Sequence, residues 1–291
     1  KQYCAFVGTR SMLKHTLDRS ARLVAPSRII TVIGSGHKNY IDATENSNIP
    51  GRIIEQPRSM ETAPGVFFPL TYAIASDPDA TVFIFPSDHY IFSEEAFVRA
   101  TRQLGYRAEE TSSVLFLFGA LPDGPETDYG WIEPGTSLPG SGDDPPRRIV
   151  AFHEKPSPQE AAAYYRKGYL WNTMIMAGKA RLLWELGCEH LPNMMKSFEK
   201  LRQILSKRQT EKAEERHLVS SIYERMEVAN FSQTILEKAT GRLAVVPLRN
   251  VEWSDWGRPS RVVETLSRTP VRIRRLAGFT IGTSLIQDYG F

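Results

Sequence analysis

The chain has 291 residues, of which 41% are hydrophobic, so it is long enough for one large α/β domain or two smaller ones with a sizeable core. A net charge of +3 is too small to indicate a nucleic-acid-binding protein, and no apolar run approaches the roughly 20 residues that a membrane span needs. Two cysteines, Cys4 and Cys188, exclude a disulfide framework and suit a reducing cytoplasm. The first residue is Lys1 and not a methionine, so we expect residues upstream of it.

Through Ala120 the chain alternates between strand and helix patterns. Ser11 is a typical N-cap for the first helix and Thr62 for the second, and Pro64 falls in the first turn, where proline is tolerated. The expected elements in chain order are a helix over 11–23, strands over 28–33 and 52–55, a helix over 62–75, a strand over 82–85, a helix over 94–110 and a strand over 114–120. This alternation is typical of a parallel sheet with helices on both faces.

The strand over 82–85 (VFIF) is followed by a short polar segment that contains Asp88. A run of β-branched and aromatic residues without alternation predicts a strand buried on both faces, and Pro86 ends it because proline cannot donate to a sheet ladder. In open α/β sheets, ligands bind outside the carboxyl ends of the strands, which is where Asp88 falls. An alternative that the spacing leaves equally open is that Asp88 caps the helix starting near Ser93.

After Ala120 the regular alternation ends. Residues 122–133 are expected to form a turn-rich loop leading into a short strand, and residues 138–146 (LPGSGDDPP) a mobile surface loop. The remaining expected elements are strands over 148–154, 170–177 and 242–246, helices over 159–167, 181–187, 191–206, 211–225 and 260–266, and a tryptophan-rich turn over 251–259. No linker divides the chain, so we expect the second half to supply a substrate lid to the same α/β domain.

Carboxylates and a lysine at strand ends are the residues that could carry chemistry. The chain has no Walker-type phosphate loop, G-x-G-x-x-G fingerprint, H-E-x-x-H or G-x-S-x-G motif, and His89 is more typical of a packed histidine than of a base. Mg²⁺ takes one or two carboxylates plus substrate phosphate oxygens, and a lysine binds phosphate as a point charge. Asp88, Asp255 and the pair Glu154-Lys155 therefore suit phosphoryl or nucleotidyl transfer, provided that the two aspartates meet.

Seven segments, taken in order, carry a resemblance to a known family. They are KQYCAFVGTRSMLKHTL at the start, EQPRSMETAPG (55–65), PSDH (86–89), ETDYGWIE (126–133), FHEKP (152–156), LWNTMIM (170–176) and WSDWG (253–257). They resemble the motifs of the sugar-phosphate nucleotidyltransferases, and most of all the mannose-1-phosphate guanylyltransferase (GDP-mannose pyrophosphorylase) branch. Each motif alone is weak, but their order makes the resemblance specific.

The resemblance implies a Rossmann-like α/β fold with a mixed, mostly parallel sheet and helices on both faces. It extends over residues 1–266, which would form one catalytic domain with a nucleotide half at about 1–121 and a sugar half at about 122–266. Residues 267–291 would form a short C-terminal tail. Whether the tail packs on its own domain or on the second subunit of a homodimer stays open.

The resemblance also implies a role for each matched residue. Asp88 and Asp255 would hold Mg²⁺ between the nucleotide phosphates and the sugar phosphate, Lys155 would bind the sugar-1-phosphate, and Lys1 would reach the triphosphate. The other implied substrate-binding residues are Thr62, Ala63 and Pro64 at the base, and Ser87, Tyr129, Gly130, Glu154 and Asn172, of which the last three would bind sugar hydroxyls. The sugar phosphate is itself the nucleophile, so no general base is required.

Two departures from the family pattern bear on function. The family's glycine- and arginine-rich loop, a backbone nest for the triphosphate, either precedes Lys1 or is missing from the protein. Asp128 stands where the family usually has glycine, and Thr173-Met174 replaces Ser-Gly, so the reaction is better indicated than the sugar.

Three hypotheses follow. The first is Mg²⁺-dependent transfer from GTP to mannose-1-phosphate, and the second is the same chemistry with another pair, such as UTP or dTTP with glucose-1-phosphate. The third is a non-catalytic nucleotide-sugar-binding regulatory subunit. Retention of Asp88, Lys155 and Asp255 favours catalysis, and the TAP, PSDH and WSDWG segments favour GTP. Each hypothesis expects only small-molecule partners.

Overall fold

The computed structural model of the chain describes residues 1–45, 49–139, 144–207 and 211–268. Part of the surface loop expected over 138–146 and nearly all of the expected tail over 267–291 lie outside these ranges. Within them, no helix has the length and apolar composition needed to cross a bilayer.

Helices and strands alternate at first and then cluster. The helices are α1 Met12–Ala21, α2 Lys38–Glu45, α3 Thr62–Ser76, α4 Glu94–Glu110, α5 Pro158–Arg166, α6 Ala180–His190, α7 Pro192–Leu205, α8 Lys212–Arg225 and α9 Pro259–Arg268. The strands are β1 Ile30–Gly34, β2 Arg52–Gln56, β3 Thr81–Ile84, β4 Tyr90–Phe92, β5 Leu115–Ala120, β6 Trp131–Ser137, β7 Arg147–His153, β8 Leu170–Lys179, β9 Leu243–Leu248 and β10 Glu252–Ser254.

The main sheet has six strands in the order β3-β8-β5-β9-β7-β6, and β6 also pairs with β8. The mixed α/β class is confirmed, but the expectation of mostly parallel pairing is wrong for the described strands. Only β1–β2 and β5–β9 pair in parallel, and the other pairings are antiparallel. The alternation that favours parallel pairing ends at Ala120, and β6 and β7 are joined without the crossover helix that a parallel pair would need.

Helices cover both faces of the main sheet, as expected. Successive side chains of a strand point to opposite faces, and the β5 residues Leu115 and Leu117 belong to a core with α3, α6, α7 and α8. Phe116 and Phe118, which alternate with them, belong to a second core with α4 and α5. The all-buried β5 is therefore central, and burial on both faces holds the sheet in place.

Three local predictions are corrected by the structure. The strand β3, expected to be buried on both faces, is half-buried and pairs with β8 at one end of the sheet order. Thr62 is not the cap of α3: Glu61 occupies that position, and the Thr62 hydroxyl accepts a hydrogen bond from the amide of Phe231 at 2.8 Å. The tryptophan-rich turn over 251–259 contains the short strand β10. This strand has only three residues, which are too few to show a periodic pattern in the sequence.

Two predicted caps bear on the candidate site. The Ser11 side chain accepts from the amide of Lys14 and caps α1, as predicted. Ser93, and not Asp88, caps α4, since its side chain accepts from the amide of Ala96. The alternative role for Asp88 is therefore ruled out by geometry.

Gly51, which immediately precedes β2, provides a test of the fold. Its φ is +81°, and a Cβ there would lie 2.1 Å from the carbonyl oxygen of Ile29. The left-handed strain alone is worth about 1–3 kcal/mol for a residue with a side chain. We expect Gly51→Ala to lower the free energy of unfolding by at least about 2 kcal/mol in urea denaturation. Gly241→Ala is the control, because a Cβ there meets nothing within 4 Å, and an equal loss in both variants would contradict this account.

Candidate active site

The antiparallel pair β4–β10 brings Asp88 and Asp255 to one place. In this pair Tyr90 lies opposite Ser254. Asp88 precedes Tyr90 by two residues, and Asp255 follows Ser254 directly, so the same crossing of the two segments carries both carboxylates. This juxtaposition is what the sequence left open.

Lys1 contacts both aspartates. Its ammonium lies 3.0 Å from Oδ2 of Asp88 and donates to the backbone carbonyl of Asp255 at 2.5 Å. One positive charge therefore lies between the Asp88 carboxylate and the backbone carbonyl of Asp255.

The Asp255 carboxylate is held on one side only. Its Oδ1 accepts hydrogen bonds from the Tyr129 hydroxyl at 2.8 Å, the Gly257 amide at 2.9 Å and Arg261 Nη1 at 2.5 Å. Burial acts to raise the pKa of Asp255, but these donors and the positive charge of Arg261 together hold it below its ordinary value. Asp255 is therefore an anion at neutral pH.

His89 is a packed histidine and not a base. Burial lowers its pKa to about 4, so the ring is neutral at neutral pH. Its Nδ1 lies 3.2 Å from Nε1 of Trp253, which as an indole N–H can only donate. This bond joins the segment after β3 to β10 beside the two aspartates.

A second group contains Gly130, Glu154 and Asn172. The Asn172 amide donates to the Gly130 carbonyl at 2.8 Å, and a Cβ on Gly130 would lie 2.7 Å from Oε2 of Glu154. Only glycine therefore lets the loop before β6 approach the carboxylate so closely. Lys155 follows Glu154 with φ +46°, an uncommon backbone conformation for a residue with a side chain.

Met174 lies in the left-handed region beside this group. Its φ is +56°, and its amide donates to Oδ1 of Asn172 at 3.0 Å. Such a conformation costs on the order of 1–3 kcal/mol and persists only where the surroundings impose it. The Asn172 side chain is thereby fixed by its own strand.

Tyr129 connects the two groups. Its hydroxyl bonds Asp255, while its ring lies 4.8 Å from that of Trp171 and 5.2 Å from that of Trp253, between centroids. Trp171 directly precedes Asn172, and Tyr129 directly precedes Gly130. One buried aromatic cluster thus holds Asp255 beside Gly130 and Asn172.

The remaining predicted site residues lie elsewhere or act through the backbone. Thr62, Ala63 and Pro64 begin α3, where the Ala63 amide donates to the carbonyl of Ala229 at 3.0 Å. Ala63 is fully buried, so its side chain is core and not pocket surface. The Ser87 carbonyl accepts from the hydroxyl of Thr16 at 3.4 Å. Their substrate-binding roles stay predictions.

Arg261 is the residue that sequence reasoning missed. It falls in the helix expected over 260–266, yet it contacts Asp255 directly. The available signal was its place in a helix that starts four residues after Asp255. Arg261 also contacts Glu126 and Asp128, which lie in the acidic segment before β6.

Comparison with known proteins shows the family to which the chain belongs. The two aspartates and the lysine lie together in a protein of mixed α/β fold. The Nucleotidyl transferase family model matches residues 1–269, and the chain belongs to that family.

Curated relatives include mannose-1-phosphate guanylyltransferases. ManC of Salmonella typhimurium is 28% identical over 277 residues, covering 93% of this chain and 55% of the relative. The Escherichia coli K12 enzyme is 30% identical over 206 residues, covering 69% of this chain and 42% of the relative. The xanthan biosynthesis protein XanB of Xanthomonas campestris is 33% identical over 191 residues, covering 64% and 39%. This chain therefore spans about half of its curated relatives' length or less.

Solved structures share the fold. A protein described as mannose-1-phosphate geranyltransferase from Thermus thermophilus superposes with a TM-score of 0.75 at 28% identity, covering 90% of this chain and 70% of that one. A protein described as mannose-6-phosphate isomerase from Helicobacter pylori gives 0.69 at 20% identity, covering 87% and 94%. The second likeness shows the fold alone.

Glu154 provides a test that separates site from scaffold. Burial raises its pKa, with Lys155 opposing, so the ionised carboxylate is less stable in the folded than in the unfolded chain. That cost is present above the folded-state pKa and disappears as pH falls below the unfolded value near 4.5. We expect Glu154→Gln to raise the melting temperature at pH 7 and the gain to shrink towards pH 4.

Glu160 is the matched control for Glu154. It accepts from the amide and hydroxyl of Ser157, and the hydroxyl bond is the larger cause of its lowered pKa. Glu160→Gln should therefore lower the melting temperature at pH 7. A loss of stability in Glu154→Gln, measured by circular dichroism, would show that this carboxylate supports the fold.

Proposed function

We propose that this protein transfers a guanylyl group from GTP to mannose-1-phosphate, giving GDP-mannose and pyrophosphate. The observation that carries the proposal is that Tyr129 connects two groups of residues. Its hydroxyl bonds Asp255, which lies with Asp88 and Lys1, and it directly precedes Gly130, which lies against Glu154. The Salmonella and Escherichia relatives, both described as mannose-1-phosphate guanylyltransferases, support guanylyl transfer to mannose-1-phosphate in particular.

Asp88 and Asp255 would hold Mg²⁺. Among the described residues, no group of three or more acidic, histidine or cysteine side chains forms a ready-made metal cage. The Lys1 ammonium already lies against the carboxylate of Asp88 and the backbone carbonyl of Asp255. Oxygen ligands of this kind suit Mg²⁺, which takes a few protein oxygens plus substrate phosphates. When bound, the ion would neutralise phosphate charge and align the reacting groups.

The chain's own residues would bind and orient the two substrates. Lys1 would move from the aspartates to the triphosphate, and Lys155 would hold the sugar phosphate as a point charge. Glu154 and Asn172 would accept and donate hydrogen bonds to sugar hydroxyls. The sugar phosphate oxygen would form a bond to the α-phosphorus in line, and the bond from that phosphorus to pyrophosphate would break. The phosphate nucleophile needs no base, and the neutral, hydrogen-bonded His89 agrees with that.

A second candidate keeps the chemistry and changes the substrates. Asp128 and Met174 occupy positions next to the sugar-side group where the family pattern has glycine, and each adds a side chain there. These two side chains favour a substrate other than mannose-1-phosphate, so other sugar phosphates and other nucleotides are the second candidate substrates. A non-catalytic sensor remains the alternative from another class, and cytoplasmic localisation and a homodimer stay predictions.

Substrate choice is tested by pyrophosphate release. The full-length gene product would be supplied with Mg²⁺ and mannose-1-phosphate, and GTP, ATP, UTP and dTTP would be compared. We expect release with GTP at least about tenfold faster than with the others, a difference of about 1.4 kcal/mol in the barrier. Faster release with UTP or dTTP would move the assignment to the second candidate. No release from protein that binds GDP-mannose would favour the sensor.

The two-aspartate site is tested by Asp255→Asn. Removing a metal ligand should lower turnover by at least about 100-fold, since only positioning and charge neutralisation drive this chemistry. Asp123→Asn is the control, because Asp123 is an exposed aspartate that pairs with Arg268. Melting curves would check folding. If Asp255→Asn retains turnover, the assignment of Asp255 as an Mg²⁺ ligand is contradicted.

A further inference from the structure

Arg261 is a buried guanidinium surrounded by three carboxylates. Only 7% of the residue is exposed. Its Nη1 donates to Asp255 Oδ1 at 2.5 Å, and its Nη2 lies 2.9 Å from Glu126 Oε2 and 3.2 Å from Asp128 Oδ2. A planar guanidinium presents its donors to such a set in a fixed, forked geometry, whereas an ammonium is a compact point charge on a flexible chain. Arg261 therefore connects the loop before β6 to the candidate metal ligand.

Tyr129 reinforces this connection. The guanidinium carbon of Arg261 lies 4.3 Å from the centroid of the Tyr129 ring, a cation–π distance. The hydroxyl of the same tyrosine donates to the same oxygen of Asp255. Arg261 and Tyr129 thus form one stacked unit with two donors directed at Oδ1.

The two oxygens of Asp255 have different surroundings. Oδ1 accepts from Tyr129, Gly257 and Arg261, which uses its capacity as an acceptor. Among the described residues, no hydrogen bond reaches Oδ2. A Cβ on residue 257 would lie 2.6 Å from Oδ2, so the glycine there keeps the space beside this oxygen open. Asp255 consequently presents one oxygen in a fixed direction.

We propose that Arg261 is a positioning residue, which saturates Oδ1 of Asp255 so that Oδ2 alone is presented to the divalent cation. This inference rests on the proposed function, since it takes Asp255 as a metal ligand. Arg261 also holds Glu126 and Asp128 of the sugar-side loop, so the loop and the metal ligand are fixed relative to one another. Partners that orient a metal ligand in this way typically change metal affinity or activity by about 10–100-fold.

Electrostatic attraction alone predicts the opposite effect of removing Arg261. Loss of the guanidinium would leave three carboxylates without their counter-charge, and these would attract a divalent cation more strongly. If Arg261 orients Asp255, the loss instead weakens cation binding. The sign of the change therefore separates positioning from simple charge, and a purely structural role would lower the melting temperature without changing cation affinity.

Arg258, which directly precedes α9, is a matched control for Arg261. Its guanidinium lies 2.6 Å from Glu126 Oε2 and 3.4 Å from Asp128 Oδ2, so it holds the same loop residues. Within the described part of the chain, Arg258 makes no hydrogen bond or ion pair with Asp255. Arg258→Met removes a similar charge from the same loop and leaves Oδ1 of Asp255 saturated.

The experiment is Mn²⁺ binding by electron paramagnetic resonance, with and without GDP-mannose. Wild type, Arg261→Met, Arg261→Lys and Arg258→Met would be compared, together with the Mg²⁺ concentration for half-maximal pyrophosphate release. We expect Arg261→Met to bind Mn²⁺ about 10-fold or more weakly and to need correspondingly more Mg²⁺. Arg261→Lys should be intermediate, and Arg258→Met should resemble wild type. If Arg261→Met does not fold, the lysine variant carries the test.

The outcomes distinguish this proposal from the proposed function. Unchanged or tighter Mn²⁺ binding by Arg261→Met, or by a lysine variant tested in its place, overturns the positioning role even if wild type releases pyrophosphate. If Arg261→Met binds Mn²⁺ more weakly than wild type but wild type releases no pyrophosphate, the positioning role is supported and the proposed reaction is rejected. A wild type that binds no Mn²⁺ under either condition overturns the metal assignment and, with it, this inference.

Discussion

The antiparallel pairing of β4 with β10 is the constraint on which the candidate site depends. It joins Tyr90 to Ser254 across most of the chain, and so places Asp88 and Asp255 on one crossing. Three-residue strands are weak alone, but aromatic contacts reinforce them: the fully buried Trp256 stacks on Tyr90 with centroids 4.6 Å apart, and Trp253 bonds His89. Burial of large aromatic rings supplies the stability that so few backbone hydrogen bonds cannot.

The same aromatic cluster gives the site its second half. Tyr129 contacts Trp171 and Trp253, and its polar end reaches Asp255. Large rings have few rotatable bonds, so they hold their polar ends in place at a small entropic cost. Asp255, the loop before β6 and α9 are therefore parts of one packed unit, and Arg261 of α9 contacts both Asp255 and the loop.

Much of the fold could be predicted because its signals are local. The apolar run of β5, the Ser11 cap of α1 and the amphipathic α4 follow from periodicity and capping chemistry, which act over a few residues. Pairing direction could not be predicted for most strands, because it depends on which strands meet in space: even β3, which lies before Ala120, pairs antiparallel with β8. Two local features arise in the same way, from neighbours distant in sequence. They are the half-burial of β3 and the position of Glu61, instead of Thr62, as the N-cap of α3.

The sequence by itself determined which residues are chemically able to act: Asp88, Asp255, Lys155, Glu154 and the segments that resemble the nucleotidyltransferase family. Those choices lie in residue type and order along the chain. Only the tertiary structure decided that Asp88 and Asp255 share a lysine, that Gly130 approaches Glu154, and that Arg261 occupies one oxygen of Asp255. The reason is physical: a hydrogen bond depends on positions within a few tenths of an ångström, and packing between remote segments sets those positions.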